Sequence, residues 1–324
     1  MSLKVGFIGC GGIGGHHMRL LAKMDDVQMV AFSDTDEERA KNAAKNYGGE
    51  AFKDYKAMLK KVELDAVFVC TPPFAHGPQE KAVIEAGLPF FVEKPVALSL
   101  KVTAPIIEGV HKKNLITAVG YQDRYLDIID QLKSFLQGRK VGMIMGYWMG
   151  GMPGVYWWRQ KKLSGGQAVE QTTHIFDASR NLFGEVVKVY ASAQTGLMKE
   201  VPNYDIEDAT AVNVEFESGL MGVIFSACFL STNGRCGMDG WGRDFAFEYK
   251  ERGSLKLFEP GRIVETQVKN DYAFLCDRTF IEAVATGDRS KIRSDYLDAV
   301  RSLSISLAAN KSVATGKPVK VVAI

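Results

Sequence analysis

The chain has 324 residues, 46% of them hydrophobic, with 40 Lys and Arg against 38 Asp and Glu for a formal net charge of +2. That length suits about two domains, and that apolar content excludes a disordered or fibrous chain. The charge balance, with basic runs such as Lys60-Lys61 and Lys161-Lys162 no longer than pairs, argues against nucleic acid and membrane surfaces as partners.

The first 120 residues alternate between short apolar runs and helical patterns. Val5 to Ile8, Val27 to Phe32, Ala66 to Cys70, Phe90 to Val92 and Ile116 to Val119 lack charge and are rich in β-branched or aromatic residues, as strands buried on both faces are. Asp36, Asp54 and Ser99 open the helices between them, and Gly48 and Gly87 close two. This β-α-β order predicts an α/β domain over residues 1–122 with a parallel, doubly wound sheet.

The pattern then changes. Leu126, Ile129, Leu132 and Leu136 predict a connecting helix. Val141 to Trp158 is uncharged and long enough for a minimal membrane span, but its glycines and Pro153 make it a strand followed by a glycine-rich loop. Alternating runs at 187–193, 212–216 and 245–249, with turn signals at Glu217-Ser218-Gly219 and Glu251-Arg252-Gly253, predict an α+β domain over 123–324. Its large sheet is mostly antiparallel and open. The strands outnumber the helices available to cover them, so one face is expected to bury itself in a homodimer or homotetramer. A closing helix is expected over about 295–314, near the domain junction.

The five cysteines, Cys10, Cys70, Cys228, Cys236 and Cys276, are odd in number and scattered, which predicts neither disulfides nor a zinc site. With an N-terminus lacking the features of a signal peptide, this points to the cytoplasm.

The most specific local motif is Gly9-Cys10-Gly11-Gly12-Ile13-Gly14, between the first strand and the helix after it. Gly9 permits a tight turn, Gly11 lets the backbone approach a pyrophosphate, and Gly14 permits close helix packing. Asp34 stands about 20 residues on, at the end of the second strand, where its carboxylate can accept bonds from an adenosine ribose. It would repel a 2′-phosphate, and no Arg stands immediately beside it, so NAD is favoured over NADP.

Two further segments carry chemistry. Glu93-Lys94-Pro95 follows the fourth apolar run, and ligands of such sheets bind at the carboxyl ends of strands, so Lys94 is expected at the cofactor crevice. The proline restricts Lys94 and admits a cis peptide. In Gly165-Gly166 to His174, Glu170 and His174 fall at i and i+4 of a helical pattern, a carboxylate and an imidazole suited to general-base work. One His without convergent Cys or Asp calls for no metal.

Together these segments resemble the Gfo/Idh/MocA family, the relatives of glucose-fructose oxidoreductase and inositol dehydrogenase. The resemblance spans essentially the whole chain and also rests on His17, Cys70-Thr71-Pro72-Pro73 with His76, Gly120-Tyr121-Gln122 with Arg124, and the end of the chain from Ala308 to Pro318. It implies a Rossmann domain joined to an open-sheet domain, with nicotinamide and substrate between them. It implies that Lys94 contacts the reacting hydroxyl and the nicotinamide ribose, and that His174 is the acid/base. Glu170 stands where Asp is usual, and binds a substrate hydroxyl, orients His174, or both.

The resemblance further implies that Thr71, Pro72 and His76 run under the cofactor, with Glu93 and Gln122 beside it; His76 is equally a packing residue at a helix start. Tyr121, Arg124 and Thr173 would line the substrate. So would Trp157 and Arg159, in an aromatic cluster suited to a sugar or cyclitol. His17 is expected to pack within its helix. The implied activity is hydride transfer between NAD(P) and a secondary alcohol of a sugar, sugar derivative or cyclitol. The alternatives are an NAD-dependent glycosidase of the same fold and a non-catalytic dinucleotide-binding protein.

Overall fold

The computed structural model describes residues 2–324 and divides into two compact units, one comprising the residues up to Gln122 with Asp271–Ala299, the other Asp123–Asn270 with Val300–Ile324.

The first unit runs β1 (Leu3–Ile8), α1 (Gly12–Leu21), β2 (Val27–Ser33), α2 (Glu37–Tyr47), β3 (Glu50–Phe52), α3 (Tyr55–Lys61), β4 (Ala66–Val69), α4 (Pro78–Glu85), β5 (Phe90–Val92), α5 (Leu100–Lys113) and β6 (Thr117–Val119). The strands lie in the order β3-β2-β1-β4-β5-β6, all parallel. Val5, Phe7, Phe68, Phe90 and Phe91 are wholly buried, which explains why these strands read as unbroken apolar runs. The short edge strand β3 escaped the sequence reading because Glu50-Ala51-Phe52 carries no such run. Chain direction switches between β1 and β4, whose ends Ile8 and Val69 pair, so the segments after both strands lie side by side.

The second unit begins with α6 (Asp127–Leu136), β7 (Val141–Met149), the short helices α7 (Lys161–Ser164) and α8 (Gln167–Glu170), and α9 (Thr173–Phe183). Then come β8 (Val186–Gln194), β9 (Ala209–Phe216), β10 (Met221–Ala227), β11 (Arg235–Gly242), β12 (Ala246–Lys250), β13 (Ser254–Glu259) and β14 (Arg262–Gln267). The strand expected at the start of the Val141 to Trp158 stretch is β7, and no helix among the described residues is long and apolar enough to cross a membrane.

The domain expectation needs one correction. Residues 123–324 are not one block, because α10 (Tyr272–Thr286) packs on α1 in the first unit. The closing helix, α11 (Tyr296–Thr315), precedes the two-residue strand β15 (Val319–Lys320). The nine strands are ordered β14-β13-β12-β11-β7-β10-β9-β8-β15. Every pair is antiparallel except β7 with β10.

One face of this sheet is dry: Val189, Ala191, Val212, Val214, Ile224, Met238, Phe247 and Leu255 are buried, and α9 lies so close to β7 that a Cβ on Gly146 would meet Ile175 at 2.6 Å. The alternate residues point the other way. On that face Met143, Tyr190, Met221, Phe225, Trp241 and Ile263 are all exposed.

Candidate active site

In the first unit the glycine motif does what its spacing predicts. Gly9 has φ +98°, and a Cβ there would meet the Cys70 carbonyl oxygen at 2.4 Å. A Cβ on Gly14 would meet the Gly9 carbonyl oxygen at 2.2 Å, so only glycine lets α1 pack against the turn. At Gly12 a Cβ would meet nothing within 4 Å, and at Gly11 only an Arg39 Nη1 at 3.8 Å. The start of α1, including the exposed Ile13, is therefore an open cradle whose backbone N–H groups suit an anion.

Asp34 accepts hydrogen bonds from the Cys10 N–H at 2.8 Å and the Asp36 N–H at 2.9 Å, which ties the acidic residue to the glycine turn. Arg39, paired with Asp36 at 3.3 Å, is the cation near this turn that sequence proximity to Asp34 did not reveal. Thr71, beside Pro72 at the end of β4, has a buried Oγ1 without a protein partner. An open glycine cradle, a fixed carboxylate and an orphaned hydroxyl at a topological switch fit a dinucleotide.

Two expected cofactor residues are otherwise engaged. His76 Nδ1 lies 2.5 Å from Glu80 Oε1, whose other oxygen accepts from the Gly77 N–H at 2.5 Å. His76 thus joins the start of α4 through Nδ1, while its buried Nε2 has no protein partner. Glu93 turns inward, with Oε1 2.9 Å from His17 Nε2 and Oε2 accepting from the Lys94 N–H at 3.2 Å. Lys94 itself is half-buried, and its bond to Pro95 is cis. Tyr121 is 2% exposed, with Gln122 half-buried beside it.

In the second unit the expected continuous helix through Glu170 and His174 is broken. Glu170 ends α8 and His174 lies in the first turn of α9, because Gln171 and Thr172 intervene as a separate turn. Both intervening residues keep right-handed helical backbone angles. The carboxylate at His174 Nδ1 is that of Asp123, at 3.4 Å, and the imidazole stacks on Trp148 with ring centroids 5.2 Å apart.

Asp123 Oδ1 in turn accepts from Arg252 Nε at 2.7 Å. Burial would raise the Asp123 pKa, but the His174 contact and the Arg252 charge outweigh it and hold the carboxyl well below the usual range. Glu251 does the opposite: burial, reinforced by the Asp123 carboxylate, pushes it up to about 8. The cluster therefore holds one ionised and one mostly protonated carboxyl at neutral pH.

Asp123, His174 and Glu251 each offer an atom within 4.8 Å of the others, a spacing that also suits a metal ion. Arg252 already supplies a cation to Asp123, so the trio reads as a buried charge cluster. Sequence reading missed Asp123, Arg252, Glu251 and Trp148. The sequence shows Glu251 and Arg252 only as turn residues before Gly253, and the structure holds Arg252 at positive φ (+51°).

Arg124 departs from its expected substrate role. It is buried, and its Nε and Nη2 donate to the two Asp177 oxygens at 2.8 and 2.6 Å, while Ser302 Oγ donates to Oδ1 at 2.6 Å. This fork fastens α9 to the segment entering α6. Arg159 is turned to its own loop, donating to the Pro153 carbonyl at 3.1 Å, and Trp157 stacks on Trp158. Thr173 is fully buried.

Comparison with known proteins gives a consistent result. Residues 3–121 match the model of the oxidoreductase family with an NAD-binding Rossmann fold, and residues 138–242 match that of the GFO/IDH/MocA C-terminal domain. Over 98% of this chain and 98% of its own length, the myo-inositol 2-dehydrogenase of Thermotoga maritima is 27% identical. An uncharacterized oxidoreductase, YrbE, of Bacillus subtilis is 26% identical over 98% of this chain and 96% of its own. Among solved structures, levoglucosan dehydrogenase in complex with NADH superposes with a TM-score of 0.87 over 100% of both chains at 20% identity, which shows the shared fold.

Proposed function

Because the chain belongs to the Gfo/Idh/MocA family of oxidoreductases, whose first domain binds NAD, we propose that it is an NAD-dependent dehydrogenase oxidising a secondary alcohol of a cyclitol, sugar or sugar derivative. The observation that carries this reading is the buried His174 with the Asp123 carboxylate at Nδ1. An imidazole so partnered keeps its proton on Nδ1 and offers Nε2 as the base for a hydroxyl proton. Trp148 limits its rotation by stacking. Arg252 keeps Asp123 ionised, so the carboxylate can stabilise the imidazolium that forms.

The dinucleotide would be held by the N–H groups at Gly11, Gly12 and Ile13, by Asp34 at the ribose and by Thr71 Oγ1 near Pro72. Bound NAD supplies the acceptor for the hydride leaving the carbinol carbon. The reading assigns Lys94 a hydrogen bond to the reacting oxygen, stabilising it as the proton departs. Glu170, Tyr121 and the Trp157 segment are assigned to hydroxyl and ring recognition.

A panel of inositols, sugars and polyols, offered with NAD and with NADP, tests this directly. Net NADH formation with at least one of them is expected. Sugar release without NADH would replace this reading with the glycosidase alternative, and NAD binding with neither reaction would reduce the protein to a dinucleotide binder.

The same reading includes a homo-oligomer built on the exposed sheet face. Its Met143, Met221, Phe225 and Trp241, with a hollow of about 320 Å³ lined by Met149, Gln194, Ala211 and Phe225, form an apolar surface of the kind that self-association covers. Sedimentation at micromolar concentration should give a multiple of the 35.7 kDa chain mass. Met221→Asp should shift it toward the monomer. Five free thiols suit a reducing compartment, and a cytoplasmic location belongs to this proposal.

A further inference from the structure

The first unit contains a buried polar cluster that the reaction above does not use. His17 on α1 is 2% exposed, with Glu93 after β5 on one side and Asp277 on α10 on the other. Its Nε2 lies 2.9 Å from Glu93 Oε1, and its Nδ1 lies 2.8 Å from Asp277 Oδ2. A neutral imidazole has only one donor. With carboxylates at both nitrogens the ring is a double donor, an imidazolium. Burial alone would push its pKa down, but Asp277 and Glu93 overcompensate and raise it to about 10.

The cluster places a cation and two acidic side chains among Phe68, Phe91 and Phe280, where apolar side chains would pack at no electrostatic cost, and burial raises the Asp277 pKa. Geometry points to what it provides instead. The second oxygen of Glu93 accepts the Lys94 N–H, so turning the Glu93 carboxylate turns the peptide from which the lysine departs. Space for that carboxylate is reserved at Gly120, where a Cβ would come within 2.2 Å of Glu93 Oε1.

We propose that His17 is a positioning residue for Lys94: held by Asp277, it clamps Glu93, and Glu93 fixes the backbone at the lysine. The clamp also ties that backbone to α1, the helix opened by the glycine motif. The inference rests on the reading of Lys94 as the group that meets the reacting hydroxyl.

The test is a double-mutant cycle on the full-length protein with NAD and a turnover substrate from the panel above. Lys94→Met should lower kcat severely. His17→Leu should lower kcat by about 10- to 100-fold while the Kd for NAD and the KM for substrate move less than about threefold. On the Lys94→Met background, His17→Leu should cost less than about threefold, because the group it aims is gone. A merely structural histidine would cost the same on both backgrounds. Equal cost on both, or a loss seen in NAD affinity with kcat intact, overturns the inference.

Lys94→Met with near-normal kcat overturns the reading of Lys94, and the inference with it. A full penalty from His17→Leu in both backgrounds overturns the inference alone. Should His17→Leu fail to fold, His17→Gln, which retains one donor, enters the same cycle with the same two outcomes.

Discussion

Each unit buries a histidine against carboxylates, and the two sites are built in opposite ways. In the first, His17 is gripped from both sides at 2.8 and 2.9 Å, and its proton count is fixed across the neutral range by a pKa near 10. In the second, His174 has one carboxylate at 3.4 Å, and the negative charge of that carboxylate is shared with Arg252. Its second acidic neighbour, Glu251, is mostly protonated at neutral pH. A histidine gripped by acidic groups at both nitrogens, with its pKa raised to about 10, keeps its proton across the neutral range. On the reading proposed above, the looser contact at His174 suits a general base, which must take up a proton and give it back. The comparison teaches that a nearby carboxylate alone does not distinguish the two histidines; the balance of charge around each does.

This contrast breaks most readily at His174. His174→Ala should lower kcat by about 10²- to 10⁴-fold, with a loss that eases as pH rises and hydroxide takes over the proton, while NAD binding is retained. Near-normal turnover would remove His174 from the chemistry. At the other histidine the larger effect should be on stability. His17→Leu leaves two buried carboxylates without their cation and should cost about 3–5 kcal/mol in urea unfolding at pH 7. Because the His17 pKa is raised, its stabilisation is complete below about pH 6.5 and lost as pH climbs through about 10. The gap between wild type and variant should therefore close toward pH 10. A gap that widens there would contradict the clamp.

Glu251 offers a smaller effect of a different sign. Its folded-state pKa is raised from 4.5 to about 8, so the folded protein holds a proton that the unfolded chain has released. Stability is therefore lost as pH rises from about 4.5 through about 8. Glu251→Gln keeps the neutral shape and should be more stable than wild type above pH 8, by about 1–3 kcal/mol. Equal stability across that range would show that Glu251 titrates normally. The mildest expectation concerns cofactor choice: Asp34→Ser should narrow the preference for NAD over NADP by about tenfold, measured as the ratio of Kd values. Unchanged discrimination would move the selectivity elsewhere, with Arg39 the next residue to replace.

The glycine motif was legible in the sequence because its reasons are local: a left-handed turn at Gly9 and a close approach at Gly14 are dictated by neighbours in the chain. Five apolar runs and their caps likewise sufficed for the doubly wound sheet, apart from the three-residue edge strand β3. The polar partners were not legible. His17 and Asp277 are 260 residues apart, and Asp123 meets Arg252 only because the β12–β13 turn returns to the start of the second unit. Helical spacing across Glu170 and His174 likewise did not reveal that the helix is interrupted at Gln171 and Thr172. Sequence periodicity reports which face is dry, and says nothing about which buried charges find each other across the fold.

The place of β7 in its sheet has a consequence for how the protein acquires its structure. Met143 pairs on one side with Met221 and on the other with Trp241, so the central strand is synthesised well before either neighbour. β8, β9 and β10 can form one meander from local turns, and β11 to β14 another, but neither becomes part of a single sheet until β7 is seated between them. Closing such distant contacts is entropically slow. An apolar strand with three methionines therefore emerges on the nascent chain before either of its partners, which leaves its edges open to wrong pairing in the interval.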